Sequence, residues 1–146
     1  MKVVYDELPH ELHEELKGYV YDVIGAMYEV YKQLDNGLPE YVYQEALYKE
    51  LCSLGYEPQK EYQHNLVYKN TKLDSFVKMD LVVPKNDKNI IIECKSIGNL
   101  TEKEQYQTWG YLTATKFPVA ILVNFGSYPK AQIQRFCIHN GKIYAF

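Results

Sequence analysis

Asp80, Glu93 and Lys95 are the residues whose types and spacing suit chemistry on a charged substrate. Asp80 lies in the stretch Phe76–Val83, and Glu93 and Lys95 lie in Asn89–Lys95; both stretches are rich in strand formers. Lys85-Asn86-Asp87-Lys88 stands between them and suits a tight connection. If those four residues form the loop, Pro84 faces Asn89, Asp80 faces Glu93 and Lys78 faces Lys95. Side chains alternate along a strand, so these two facing pairs of acids and lysines would share one sheet face. Leu81, Val83, Ile92 and Cys94 would then point into a core. Two directly opposed carboxylates repel each other. A neighbouring lysine reduces that repulsion, and a divalent cation reduces it more. Magnesium takes hard oxygen ligands, commonly one or two carboxylates with waters and a substrate phosphate. Asp80 and Glu93 would supply that pair. Lys95 could hold or polarise the attacking water, or stabilise charge on a phosphorane-like transition state. The competing reading is a solvated surface cluster. Ile90-Ile91-Ile92 argues against it, because such a run makes the strand interior, where unpaired charges rarely sit.

Other side chains bear on the same chemistry. Glu40 stands on an inward stripe with Tyr43, Leu47, Leu51 and Leu54, where an acid is out of place unless something receives it. Its place near a helix N-terminus is the structural alternative. Gln107 and Tyr111 are one helical turn apart and share a face. An amide and a phenol there could orient a carboxylate, the lysine or a phosphate. Trp109 reads as core. Four histidines make no metal pattern, and there is no glycine-rich phosphate loop and no Gly-x-Ser-x-Gly turn.

These groups need elements to hold them. Leu12, Leu16, Val20, Val23, Met27, Val30 and Leu34 recur every three or four residues, which predicts a helix. Pro9 sits near its start, and Asp35-Asn36-Gly37 ends it, with Gly37 free to turn left-handed. A second helix runs from Pro39 to Gly55. Strands follow at Tyr62–Tyr68, Phe76–Val83 and Asn89–Lys95. Thr101-Glu102-Lys103-Glu104 is a capping box opening a third helix that reaches about Thr115, before Pro118. Val119–Val123 is wholly apolar and predicts a central strand covered on both faces. Ile133–His139 and Lys142–Phe146 flank Asn140-Gly141, a tight-hairpin pair. The order predicts an α/β fold with a mixed central sheet flanked by helices. The first three strands would form a meander, and the third helix would carry the chain to a strand parallel to its neighbour.

Composition bounds the function. The 146 residues suit one domain over 1–146 with a real core, and 47% hydrophobic against 24% charged residues excludes disorder. The formal net charge is −3 and Arg135 is the single arginine, so nucleic acid would have to be bound locally, or with metal ions, rather than by bulk charge. The 15 tyrosines read first as a half-buried core rim and second as an aromatic platform. Cys52, Cys94 and Cys137 lack metal-type spacing and read as reduced thiols. Met1 to His13 has no apolar signal core, and no segment is long enough to span a membrane. These features point to a cytoplasmic protein.

Asp80 followed by Glu93-Cys94-Lys95 resembles the signature of the PD-(D/E)xK nuclease superfamily, with Met79 in place of its proline. Gln107-x-x-x-Tyr111 resembles the QxxxY motif of its recombination-exonuclease branch. Gly37-Leu38-Pro39-Glu40-Tyr41-Val42-Tyr43 resembles the motif that names the GxxExxY family. Gly25-Ala26-Met27-Tyr28-Glu29-Val30 and Leu122-Val123-Asn124-Phe125-Gly126 are similar to that family too, whereas Tyr31 stands where it often has histidine. The resemblance runs from about Val23 to Arg135. It implies a restriction-endonuclease-like core. It also implies Asp80 and Glu93 as metal ligands, Lys95 as the catalytic lysine, Glu40 as an accessory acid at the metal, and Gln107 and Tyr111 as supporting groups. The implied cofactor is Mg²⁺ or Mn²⁺. The implied function is a nuclease hydrolysing phosphodiester bonds of DNA, with RNA as the second substrate. The alternative is a non-catalytic nucleic-acid-processing or partner-binding module on the same fold. The low positive charge also allows a need for a DNA-binding protein partner, and a homodimer is the alternative partner.

Overall fold

The structure is a computed structural model and describes residues 3–4 and 8–146. The apolar stripe beginning at Leu12 becomes α1 (His10–Leu34), which buries Val20, Val23, Met27 and Val30. Gly37 takes a φ of 106° after it, as a left-handed turn demands. α2 (Glu40–Ser53) follows Pro39 and buries Tyr43, Leu47 and Leu51. Leu54, expected on that stripe, lies past the end of the helix and is 51% exposed.

The strands are β1 (Val3–Val4), β2 (Gln59–Tyr68), β3 (Thr71–Lys85), β4 (Lys88–Lys95), β5 (Val119–Asn124), β6 (Gln132–His139) and β7 (Lys142–Ala145). They form a seven-stranded sheet in the order β1-β7-β6-β5-β4-β3-β2. β2, β3 and β4 are the expected antiparallel meander, and β5 runs parallel to β4. Between β4 and β5 the chain passes through α3 (Glu102–Thr115). Its capping box is formed: the Thr101 N–H donates to Glu104 Oε1 at 3.0 Å, and Thr101 Oγ1 accepts from the Lys103 N–H. β6 and β7 turn at Asn140-Gly141. The sequence did not anticipate β1, which pairs in parallel with β7, nor the early start of β3 at Thr71.

Two cores sandwich the sheet. On one side α1 and α2 cover Leu81, Val83, Ile92, Cys94, Val119, Ile121 and Val123. On the other, Trp109 and Leu112 of α3 cover Val82, Ile91, Ala120 and Leu122. All six residues of β5 are buried, which is why that strand could be written without a polar face. The expected α/β architecture, a mixed sheet between helices, is the one that forms.

Candidate active site

The β3–β4 ladder fixes where the acids stand. Pro84 pairs with Asn89, and the ladder runs on to Leu81 and Ile92 in the expected register. It ends there, and the carboxylates replace the missing backbone partners. The Asp80 N–H donates to Glu93 Oε1 at 2.9 Å, and the Cys94 N–H donates to Asp80 Oδ2 at 2.8 Å. Buried backbone donors must find acceptors, so the parted strands and the two acids form one arrangement.

Asp80 also marks a slip in strand alternation. Met79 packs in the core under α3, whereas Leu81 packs in the core under α1 and α2. Opposite this point on β2, Glu61 has a left-handed φ of 46°, uncommon for a residue with a side chain. The expectation that Lys78, Asp80, Glu93 and Lys95 share one face is therefore corrected. Lys78 does not meet Lys95; it pairs with Gln63 on β2 and reaches Glu61 at 3.7 Å. The slip leaves Asp80 between the layers. Gln44 of α2 hydrogen-bonds its carboxylate, while Lys95 turns to α3.

Around this pair the structure gathers the other candidates. Lys95 Nζ donates to Gln107 Oε1 at 3.0 Å, which brings the helix amide and the lysine together. Glu40 opens α2 and lines, with Lys95, Ile97, Lys103, Glu104 and Gln107, a recess of about 340 Å³. A second recess of about 390 Å³ reaches Asp80 from the side of Gln44, Lys60 and Glu61. Tyr111 is 8% exposed; burial, then the charges of Glu93 and Asp80, raise its phenol pKa.

Electrostatics tie the acids together. Glu93 is 3% exposed, and its pKa is pushed up to about 8, by burial first and by repulsion from Asp80 second. Burial also raises Asp80, against the opposing pull of the Cys94 N–H and of Lys95. Glu40 is raised by burial and by Asp80, and lowered by Lys95. Three carboxylates thus feel one another and a single lysine. Among the described residues, no three His, Cys, Asp or Glu side chains stand ready to hold one metal ion, so the expected three-acid shell with Glu40 is not preformed. The donor set still fits a hard divalent cation. Magnesium needs only one or two protein carboxylates beside water and phosphate, and a cation would favour the charged forms that burial, and secondarily mutual repulsion, disfavours.

The supporting layer was largely missed at the level of sequence. Asn124 is wholly buried. Its Oδ1 accepts from the N–H groups of Ile97 and Gly126, each at 3.0 Å, and its Nδ2 donates to the Ile97 carbonyl and to Gln132 Oε1. It therefore clamps the turn that follows Lys95. Gly126 lies so close to this turn that a Cβ would stand 2.3 Å from the Ile97 carbonyl oxygen. Tyr43 is stacked on Phe125 at 4.6 Å; its hydroxyl accepts from the Leu38 N–H at 3.1 Å and donates to the Asp35 carbonyl. Ser96 Oγ donates to the Leu38 carbonyl at 2.7 Å. Tyr43 and Ser96 together hold the loop before Glu40 against the turn after Lys95. Tyr31 donates to the Ser127 carbonyl at 2.8 Å, a packing role away from the acids. The sequence marks Tyr43 as part of the inward stripe, and Asn124 and Gly126 only in the residue strings of the resemblance, which assign no role.

A stability prediction follows. Asn124→Ala strands buried backbone groups and should lower stability by about 2–4 kcal/mol. Gly126→Ala should be comparably damaging, because the atoms in its way are backbone. Chemical denaturation of both variants checks this; midpoints equal to wild type would show that the turn is not clamped.

Residues 17–136 match the family profile of the PD-(D/E)XK nuclease superfamily. The chain matches no curated protein. Its fold is similar to that in the crystal structure of SSO0001, at 17% identity and a TM-score of 0.50. That likeness covers 66% of this chain and 48% of the other, so the chain spans about half of that protein, and at such identity it concerns the fold alone. The matched residues take in both parted strands, the clamped turn and α3, on a sheet of the restriction-endonuclease-like kind, and the chain belongs to the PD-(D/E)XK nuclease superfamily.

Proposed function

We infer that this protein is a metal-dependent nuclease, one catalytic domain over 1–146, that hydrolyses phosphodiester bonds of DNA, with RNA as the second candidate. The observation that carries the reading is half-buried Asp80 beside buried Glu93 where β3 and β4 part, with Lys95 held by Gln107 two residues along β4. Buried like charges are unfavourable without a counterion. Asp80 and Glu93 would hold Mg²⁺ or Mn²⁺, with Glu40 close enough to sense the same charge. When bound, such an ion polarises a phosphoryl oxygen and lowers the pKa of its water. The remaining work falls to the chain. Lys95 is fixed by Gln107, beside the carboxylates, where it can orient water or meet developing negative charge. Tyr111 and Gln44 hold the carboxylate environment. Asn124, Tyr43 and Ser96 keep the two loops that carry Lys95 and Glu40 in register.

The Glu40 and Tyr43 loop also supports placement in the GxxExxY branch. Three free thiols, two of them buried, suit a reducing cytoplasm. Among the described residues, no helix is long and apolar enough to cross a membrane. One observation favours the second reading, a non-catalytic module or a nuclease that relies on a protein partner or a second copy: the formal charge of −3 with a single arginine gives little general attraction for phosphate.

Calorimetry with Mn²⁺ tests the metal site. Wild type should bind, and Asp80→Asn should bind far more weakly, since the amide removes one of two anionic ligands. Equal binding by both proteins would place the metal elsewhere and overturn the reading.

A further inference from the structure

β3 and β2 continue well past the end of β4. The β3–β4 ladder stops at Leu81, so residues 71–79 pair only with β2, itself the last strand of the sheet. This leaves a two-stranded ribbon, closed by a tight turn with left-handed φ values of 48° at Lys69 and 63° at Asn70. Glu93 and Lys95 lie at the C-terminal end of β4, and β3 runs antiparallel to it. The ribbon leaves the sheet at the parted strands and bends across the α3 side, where Tyr62 and His64 meet the Phe117 ring at 5.7 and 6.5 Å. Along its contour it runs roughly 30 Å from Asp80 to Thr71.

Val67 is 65% exposed, Tyr68 62% and Phe76 46%. Tyr62 and Val77 pack the base of the ribbon against the α3-side core, while its outer part is two-stranded and marginal in water, with exposed apolar residues that invite a partner. Residues 65–78 contain Lys69, Lys72 and Lys78 against Asp74, and Lys78 is answered by Glu61 at 3.7 Å, so the positive charge of the ribbon lies at Lys69 and Lys72 near its tip. A basic and aromatic tip thus closes the ribbon whose second strand carries Asp80.

We propose that the β2–β3 arm grips duplex DNA, with Lys69 and Lys72 on the phosphates and Tyr68 against the groove, so that the duplex reaches the site at Asp80. This rests on the nuclease reading of that site. The B-form major groove, about 12 Å wide, admits a two-stranded ribbon; the deep, narrow major groove of A-form RNA does not. Charge complementarity and continuity with the Asp80 strand select nucleic acid over a second copy of the chain.

The test compares Lys69→Asn/Lys72→Gln with its parent, both carrying Asp80→Asn to prevent cutting. Asparagine accepts the left-handed turn at position 69, so the fold is spared, and thermal melting verifies it. Binding to a labelled short DNA duplex, to the same sequence as duplex RNA and to single-stranded DNA is read by fluorescence anisotropy. Loss of two phosphate contacts should weaken duplex DNA binding about fiftyfold at roughly 0.1 M salt and flatten the log–log salt slope by about two. Equal duplex binding by the two proteins overturns the arm, and if wild type nonetheless cuts with Mg²⁺, the nuclease reading survives alone. Tighter binding to duplex RNA or to single strands overturns the duplex DNA assignment. If wild type binds metal but neither binds nor cuts any nucleic acid, both readings fall. Self-association abolished by Tyr68→Ser would assign the arm to a second copy instead.

Discussion

Lys95→Ala should bind Mn²⁺ as wild type does and cut phosphodiester bonds about a hundredfold more slowly, or worse. The geometry divides the labour. The carboxylates of Asp80 and Glu93 answer backbone donors across the parted strands, and their positions do not depend on the lysine. Lys95 is held by Gln107 and by the clamped turn that follows it. Removing its ammonium takes away charge at the reacting phosphate and leaves the ligand pair in place. Gln107→Ala should show a milder form of the same loss, because the lysine remains and only its orientation is freed. Paired calorimetry and single-turnover cleavage separate the effects. If Lys95→Ala lost metal binding in step with rate, the lysine would be part of the ion's site and the division would be wrong.

The second large effect is on stability against pH. Glu93 titrates near 8 in the fold and near 4.5 when free, so between these values the folded state holds a proton that the unfolded chain releases. Stability of the metal-free protein must therefore fall as pH rises from about 4.5 to about 8. Asp80 and Glu40 are displaced in the same direction and add to the fall. The loss should reach about 2 kcal/mol or more, equivalent to roughly 5 °C in Tm for a chain of this size. Glu93→Gln should flatten the profile and raise Tm at pH 8, and saturating Mg²⁺ should restore wild type there by mass action. Asp80→Asn should leave stability unchanged or raised, since the amide oxygen can still accept from the Cys94 N–H. A profile that rises through this window, or a steep loss of Tm in Asp80→Asn, would mean that the acids serve the fold and not a cation.

The elements were legible in the sequence where pattern and punctuation agree. The α1 stripe ends at Gly37, the capping box at Thr101 opens α3, and Asn140-Gly141 turns β6 into β7. The facing of Pro84 and Asn89 followed from the Lys85–Lys88 connection, and with it the neighbourhood of Asp80 and Glu93. What the sequence did not carry is the break in regularity. Period-two reasoning assumes an unbroken strand, whereas the site exists because β3 changes face at Asp80 and parts from β4. That slip also freed Lys78 to turn to Glu61. Asn124 was hidden for a related reason: it ends a wholly buried strand, and only the folded contacts reveal that its amide serves the turn after Lys95. The β2–β3 arm escaped because Lys69-Asn70 lacks the glycine that usually completes such a turn signal, so the strand read as starting at Phe76.

The most direct test of the central claim is cleavage by the purified chain. DNA duplexes, single strands and branched substrates, and RNA, should be incubated with wild type, Asp80→Asn and Glu93→Gln in Mg²⁺ or Mn²⁺, with and without EDTA. Wild type should cut at least one of these substrates, EDTA should stop it, and both variants should be inactive while remaining folded. Cutting by Asp80→Asn and Glu93→Gln at the wild-type rate, or no cutting by wild type under any metal, would contradict the account.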